Sequence, residues 1–402
     1  MHADTPPTPT VIQGEGVWID PEALAQLAAV AALEGCVAAA GMPDLHPGRG
    51  LPIGAVVATR DVVYPRLVGG DAGCGARVVV TNLARPALDK LERRVRSAFE
   101  DAPFAEADPA ALFAAVWADG ARGLTSVEGV PESLRALAEA EPVSPHAGLA
   151  PWASGGAGFV ESLGTIGGGN HFAEVSRVET VADAALAEAA GLVRGAVVVL
   201  VHTGSRGLGA ALAAKWGAEA LRGDAVAGYM ADLAGACHFA QANRLVLTWR
   251  LRSALGVLRA TSARGGFDVV HNDVRAEGGQ WVHRKGAAPA YAEGLTVVLG
   301  SRGAPSWVVQ GTGSAMGLRS VAHGAGRRMG RAEALRRGKA RYRRSELTRS
   351  ATGARLLCDD PDLLYEEHPD AYKAIEPVMA ALEAHGLARR VASLEPLVTV
   401  KL

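Results

Sequence analysis

The chain has 402 residues, of which 49% are hydrophobic and 21% charged, which is ordinary for a soluble globular protein. Its formal net charge is −1, so attraction of the whole molecule to nucleic acid is excluded, and anion binding must come from local patches. No apolar run reaches the roughly 18 residues that a membrane span needs. The four cysteines are far apart with no CxxC pair, and the N-terminus lacks basic and apolar signal regions, which indicates a reduced, cytoplasmic protein.

The predicted elements alternate between helices and strands. A helix is expected to follow the cap Asp20-Pro21-Glu22 and to end at Gly35, and the block 41–50 is expected to form turns. The predicted strands are 53–59, 66–68, 75–82, 195–202, 267–271 and 296–300, and the predicted helical regions are 86–141, 180–191, 207–263 and 326–350. Because no linker, repeat or low-complexity tract divides the chain, we expect one α+β domain over 1–402, with packed central sheets flanked by helices and a site at strand ends.

A possible metal site is carried by five residues in the turns that flank short apolar runs. They are Asp71, Cys74, His171, His202 and His271. A carboxylate, a thiolate and three imidazoles can hold one or two Mn²⁺ or Zn²⁺ ions. Each residue has an ordinary alternative, because a histidine at a strand end is usually only hydrogen-bonded and free cysteine is commonly buried. Their shared position beside glycine or small polar turns favours the metal site.

Two glycine-rich loops and a basic segment indicate anion binding. The loops 164–170 and 323–327 could present backbone N–H groups to a phosphate, and His323 looks like a reactive group beside that phosphate rather than a ligand. The segment 327–344 contains many arginines and few acids, which favours a polyanionic partner, although it could be a solvated helix face. A second basic cluster, 283–286, also favours a polyanionic partner. Since few aromatic residues lie nearby, we expect a surface that contacts the nucleic acid backbone.

Several motifs occur in a fixed order along the chain. They are Met42-Pro-Asp-Leu-His-Pro-Gly48, Asp71-Ala-Gly-Cys-Gly75, Gly167-Gly-Gly-Asn-His-Phe-Ala-Glu174, His202-Thr-Gly-Ser-Arg-Gly207, His271-Asn272, His283-Arg-Lys-Gly286, His323-Gly-Ala-Gly-Arg327 and Ala371-Tyr-Lys373. In this order they resemble the RtcB family of RNA ligases, and the match runs from about residue 20 to Lys401. The stretches around residues 43–50 and 64–75 are most similar to the release factor H-coupled branch of that family.

The resemblance implies a GTP- and Mn²⁺-dependent ligase that joins an RNA 3′-phosphate, or a 2′,3′-cyclic phosphate after hydrolysis, to a 5′-hydroxyl end. By matching motif, the five metal-site residues would hold two Mn²⁺ ions bridged by Cys74, and His323 would be the nucleophile that becomes guanylylated. The implied GTP-binding residues are Asn170, Glu174, Ser301, His323, Gly324, Ala325, Gly326, Arg327, Tyr372 and Lys401. The expected RNA-binding residues are Arg206, Arg284, Lys285, Arg336, Arg337 and Arg341.

Two departures from the family pattern affect the expected nucleotide pocket. Arg302 stands where a methionine usually follows Gly-Ser, and Leu402 follows Lys401 where the family has glycine. Since all expected metal and nucleophile positions are present, we predict an active enzyme in RNA repair, with a functional link to a release-factor-like protein. The alternatives are a metal-dependent binder or sensor of damaged RNA ends that does not ligate, and a metallo-phosphoesterase that only opens cyclic phosphates.

Overall fold

The computed structural model describes residues 6–84, 86–153, 155–350 and 352–401 and has the expected α+β architecture. The helices are α1 Pro21–Ala31, α2 Leu88–Ser97, α3 Pro109–Asp119, α4 Glu132–Glu139, α5 Ala184–Ala189, α6 Gly207–Trp216, α7 Asp224–Leu255, α8 Arg331–Arg341, α9 Arg344–Leu347, α10 Pro361–Glu366 and α11 Ile375–Ala384. The strands are β1 Thr10–Val11, β2 Cys36–His46, β3 Ile53–Thr59, β4 Gly75–Thr81, β5 Phe172–Val181, β6 Val197–Thr203, β7 Ala263–Val270, β8 Asn272–Glu277, β9 Gln280–Lys285, β10 Ala287–Pro289, β11 Leu295–Val298, β12 Ser306–Gly311, β13 Ser320–Ala322, β14 Arg355–Cys358 and β15 Ala388–Lys401.

The strands form two large sheets. One has the order β1-β2-β3-β9-β8, and the other has the order β11-β12-β15-β5-β6-β4-β7, with β14 paired to β15. Strand β6 is buried along its whole length. Its consecutive apolar residues point their side chains alternately to the two faces of the sheet, and both faces are covered. The 32-residue helix α7 covers one face of the larger sheet near β4 and β6. None of the described helices combines the length and the apolar character needed to cross a membrane.

The register of the larger sheet brings four strand ends to one edge. His202, in β6, pairs with Ala76 of β4 and with Phe172 of β5. Strand β7 ends at Val270, which pairs with Gly75. The residues next to these pairs are Cys74, His171 and His271, so the sheet itself places a thiol and three imidazoles together.

Several predicted elements are confirmed, and two are wrong. Asp20 caps α1, since its Oδ1 accepts a hydrogen bond from Glu22 N at 2.9 Å. Residues 66–68 do not form a strand, because Pro65 begins a short 3₁₀ helix that ends at Leu67. The block 41–50 is strand rather than turn up to His46, since residues 36–46 form β2 and accommodate the proline and glycine by a register shift between Gly41 and His46, and only residues 47–50 form an irregular, bent segment.

Candidate metal and nucleotide site

The five predicted metal-site side chains lie in one continuous cluster. Cys74 Sγ is 3.4 Å from His171 Nε2 and 3.4 Å from His202 Nε2. His171 Nε2 is 3.2 Å from Asp71 Oδ2, and His202 Nε2 is 3.2 Å from His271 Nε2. The thiol is thus at the centre, with one imidazole on each side, as a ligand shared by two ions would be.

The donor set fits a divalent cation. Burial lowers the pKa of His202 and of His271, so both imidazoles are neutral and can offer a lone pair. Burial, together with the charge of Asp71, raises the pKa of the Cys74 thiol well above its usual range. A buried cation would reverse that shift and ionise the thiol, because metal ligands bind in their deprotonated form. The arrangement suits Mn²⁺ and Zn²⁺ alike.

Residues around the cluster fix its orientation. His202 Nδ1 lies 3.2 Å from Asn170 O, which it can reach as a donor, leaving Nε2 for the metal. Arg244, which has no exposed surface, donates from Nη1 to Gly73 O at 2.9 Å and to Thr203 O at 3.0 Å. Its Nη2 donates to Asp268 at 2.6 Å, so the buried charge is paired. Arg244 was missed in the sequence because it lies within a long apolar helix with no motif of its own.

A cavity of about 730 Å³ lies beside the cluster, a size typical of small-ligand sites. Its wall contains all of the predicted GTP-binding residues, which are Asn170, Glu174, Ser301, His323, Gly324, Ala325, Gly326, Arg327, Tyr372 and Lys401. The wall also contains His202, so the cavity reaches the metal cluster. Arg302, the departure noted in the sequence, is part of the same wall.

His323 lies between the metal cluster and a buried carboxylate. Its ring centre is 5.0 Å from that of His271 and 6.5 Å from that of His202. Its Nδ1 is 2.6 Å from Oδ2 of Asp44, which has no exposed surface. With Nδ1 donating to the carboxylate, Nε2 carries the lone pair.

Asp44, the buried carboxylate beside His323, is a residue to which the sequence reasoning gave no role, although its motif was recognised. The loop after His323 packs directly on it, because a Cβ at Gly326 would lie 2.2 Å from Asp44 O. Gly326 also has φ of +75°, so glycine is favoured there on both grounds. Lys373 donates to Pro43 O at 3.0 Å and to Leu45 O at 2.7 Å, and thereby holds this end of β2.

One wall of the cavity carries two buried ionisable groups. Burial raises the pKa of Glu174 to about 7, although hydroxyl groups of Ser176 and Thr399 donate to its carboxylate. Lys401 Nζ donates to Gly169 O at 2.6 Å and to a second carbonyl at 3.0 Å. The last strand therefore ties this wall to the loop that precedes the metal-site histidine.

Beside Lys401, at 3.5 Å from its Nζ, lies the carboxylate of Glu367, which the sequence reasoning also missed. Its Oε1 accepts from Arg327 Nη1 at 2.7 Å, and Tyr372 donates to its other oxygen. Burial alone would raise the pKa of Glu367, but Lys401 and Arg327 hold it at about 2. Arg327 lies over the Tyr372 ring at 5.1 Å, so these side chains form one rigid unit.

The glycine loop 164–170 packs closely against the Arg206 side chain and is not an open anion-binding nest. Gly167 has φ of +90°, and a Cβ there would lie 1.7 Å from Arg206 Nη1. Arg206 itself has φ of +60° at the start of α6, an uncommon conformation for a non-glycine residue. Its Nε donates to Thr165 Oγ1 at 3.2 Å. Within this loop, Asn170 is the residue in the cavity wall.

Of the predicted RNA-binding residues, Arg284 is buried and Lys285 is half-buried. Arg284 has no exposed surface, and its guanidinium donates to Glu277 at 2.7 Å and to Ser320 at 2.9 Å. RNA cannot reach it, so the prediction for Arg284 is corrected to a structural role. Lys285 Nζ donates to Val68 O at 2.9 Å, and burial lowers its pKa.

Ion pairs offset part of the positive charge of the basic segment 327–344. Arg336, Arg337 and Arg341 are exposed, as expected. However, Arg337 pairs with Glu333 at 2.6 Å and Arg341 pairs with Asp370 at 2.5 Å. Glu333, inside the segment, and Asp370, from outside it, thus neutralise part of a run that has few acids of its own.

Comparison with known proteins places this arrangement among RNA ligases. The chain matches the family model described as "tRNA-splicing ligase RtcB" over residues 26–223 and 218–402. It is similar to "RNA-splicing ligase RtcB2" of Escherichia coli, with 37% identity over 404 residues that cover 97% of this chain and 94% of the relative. A Mycobacterium tuberculosis protein, "RNA-splicing ligase RtcB", is 32% identical over 94% of this chain and 100% of its own length. The Pyrobaculum aerophilum "tRNA-splicing ligase RtcB" is 30% identical, with 90% and 87% covered.

Proposed function

Since the chain belongs to the RtcB family of RNA ligases, we propose that it joins an RNA 3′-phosphate, or a 2′,3′-cyclic phosphate after hydrolysis, to a 5′-hydroxyl end and consumes GTP. We propose RNA repair in the cytoplasm as its setting, with a functional link to a release-factor-like protein, on the strength of the branch that its motifs resemble.

The observation that carries the proposal is the position of His323. It lies in the wall of a nucleotide-sized cavity, with a carboxylate 2.6 Å from Nδ1 and the metal cluster beyond its other side. A neutral imidazole oriented in this way is a nucleophile for phosphorus, and the buried carboxylate stabilises the positive charge that develops on the ring.

The proposed reaction has three steps. His323 Nε2 attacks the α-phosphorus of GTP, a P–N bond forms and pyrophosphate leaves. An oxygen of the RNA 3′-phosphate then attacks the same phosphorus, which breaks the P–N bond and joins GMP to the RNA end through a pyrophosphate linkage. Finally the 5′-hydroxyl attacks the RNA phosphorus, loses its proton and displaces GMP, which leaves a phosphodiester.

The remaining side chains are proposed to bind and orient the reactants. Asp71, Cys74, His171, His202 and His271 would hold two Mn²⁺ ions, with Cys74 shared. When bound, the ions would neutralise charge on the phosphate oxygens. Asn170 and the loop 324–327 would contact the triphosphate.

Guanine recognition is proposed at the buried wall. The Glu174 carboxylate can accept from the N1 and N2 donors of guanine, which adenine lacks at the corresponding positions. Lys401, Tyr372 and Ser301 line the same wall and would complete the base pocket.

For RNA we propose Arg206, Lys285, Arg336, Arg337 and Arg341 as contacts. Arg206 is held rigidly beside the metal cluster, and Arg336 is exposed on α8. Because Arg337 and Arg341 are exposed and already paired, each should contribute less than an unpaired arginine.

The test is a joining assay with four RNA pairs that differ in their ends. With GTP and Mn²⁺, the proposal predicts product from 3′-phosphate or cyclic phosphate with 5′-hydroxyl ends, and none from 3′-hydroxyl with 5′-phosphate ends. Salt-dependent RNA binding with no product from any pair would instead support the end-sensing alternative. Opening of cyclic phosphate without joining would support the phosphoesterase.

A further inference from the structure

Trp18 has an exposed side chain that the fold holds outward. It is 53% exposed, the highest exposure of any tryptophan in the described residues. Its neighbours Val17 and Ile19 are 5% and 6% exposed and pack in the core beneath α1. The backbone is fixed here, since Val17 N donates to Gly14 O at 3.2 Å and Gln13 Nε2 donates to Val17 O at 2.9 Å. The two buried neighbours therefore present the indole to solvent.

The exposed indole belongs to the cavity that contains His323. Trp18 is part of the cavity wall, and its exposure places it at the mouth. An indole in water does little for folding, but its flat apolar face can stack on a nucleobase. Tyr372 and Phe172 of the same wall are less available: Arg327 lies over the Tyr372 ring, and Phe172 is 8% exposed, with an edge-to-face contact to the His202 ring.

The charges beside Trp18 favour an anionic chain at the mouth. Arg49 and Arg328 are exposed and belong to the same wall. Two acids also lie there, but both are engaged with α1. Asp20 caps the helix by accepting from Glu22 N, and Glu22 Oε1 accepts from Gln26 Nε2 at 3.2 Å. These hydrogen bonds leave both carboxylates charged but direct them toward α1, and Arg331 of the same wall is paired with Glu366 at 2.8 Å. Arg49 and Arg328 are thus the cations more available to meet phosphates.

We propose that Trp18 is a stacking platform for the RNA base nearest the reacting phosphate, with Arg49 and Arg328 contacting the flanking phosphates. This inference rests on the proposed RNA ligase function and assigns part of its substrate site. The guanine of GTP is not the expected occupant, because Glu174 and Lys401 are each only 4% exposed and lie at the buried wall. Since every base has a flat face, such a platform accepts RNA ends of different sequence.

The test compares Trp18→Ala with Trp18→Phe in two assays on the full chain. The first measures the KM for a 3′-phosphorylated RNA oligonucleotide at saturating GTP and Mn²⁺. We expect an increase of about tenfold for the alanine variant and less than about threefold for phenylalanine, which can still stack. The second measures single-turnover incorporation of GMP without RNA, where both variants should stay within about twofold of wild type. Val193→Ala, at an apolar residue that is 49% exposed, is the matched control for both assays.

Fluorescence supplies a second readout. An RNA oligonucleotide with a 3′-hydroxyl, which cannot be activated, should quench tryptophan emission in the wild type, and Trp18→Phe should lose that quenching. An unchanged RNA KM in Trp18→Ala, or quenching that persists in Trp18→Phe, contradicts the proposal. A parallel fall in GMP incorporation also contradicts it, because the indole would then serve the nucleotide. Failure of the proposed function is distinct: the wild type would form no GMP adduct, whatever the RNA does to Trp18.

Discussion

Replacing Asp44 by asparagine removes the charge that orients His323 while keeping the side-chain volume. The carboxylate accepts from His323 Nδ1 at 2.6 Å and is fully buried. A hydrogen bond to a charged group contributes about 1.5–3 kcal/mol, which corresponds to about 10- to 150-fold in rate. The asparagine amide can also donate to Nδ1, which would move the ring proton to Nε2 and remove the nucleophilic lone pair. We therefore expect a loss of at least about 100-fold in GMP incorporation.

The assay is single-turnover GMP incorporation from GTP, with bound metal measured in parallel. Asp44 does not contact the metal cluster, so the metal content of Asp44→Asn should equal that of the wild type. Asp183→Asn is the matched control, because Asp183 caps the distant helix α5 and asparagine is an equally good cap. Incorporation at the wild-type rate in Asp44→Asn would refute the assigned orientation of His323. A loss of metal together with activity would mean that Asp44 supports the whole site.

Three further predictions concern the nucleotide, the metal and the loop. Because the pKa of Glu174 is raised to about 7, its carboxylate becomes protonated as pH falls, so the KM for GTP should be about tenfold higher at pH 6 than at pH 8. Glu174→Gln should raise the KM and abolish this pH dependence. An unchanged pH dependence in that variant would contradict the assignment of Glu174 to guanine. Cys74→Ala should lose bound metal and GMP incorporation together, whereas Cys36→Ala should retain both. Elemental analysis measures the metal. Metal retained in Cys74→Ala would contradict a thiolate shared by two ions. Gly167→Ala should reduce RNA joining by about tenfold, because the new methyl group displaces Arg206 and residue 167 has a positive φ that alanine disfavours. Gly168→Ala, whose methyl group would meet no atom within 4 Å, should join RNA normally. Equal rates in the two variants would contradict this role of the loop.

The positions of the histidines at strand ends could be predicted from the sequence. Short apolar runs that end in His202 or precede His271 are local patterns, and a sheet brings the ends of neighbouring strands to one edge. The α+β fold class followed from the same alternation of strands and helices. Residue types and strand-end positions were enough to suggest one metal site from the five residues, but no local pattern states which strands pair, and the assignment of two ions sharing Cys74 came from the family resemblance.

The residues that were missed act across long separations in the chain. Asp44 and His323 are 279 positions apart, and no periodicity relates them. Glu367 lies in a polar segment that resembles a solvated helix end, yet it is 2% exposed because two cations surround it. The basic segment was misjudged for the same reason, since Asp370 neutralises Arg341 from a separate part of the chain.

The most direct test of the account is to map the covalent adduct. After incubation with GTP and Mn²⁺, the mass of the intact protein should increase by one GMP, and peptide mass spectrometry should place it on His323 through an acid-labile bond. His323→Ala should show no increase. No adduct on the wild type, or an adduct on another residue that persists in His323→Ala, would contradict the proposed chemistry.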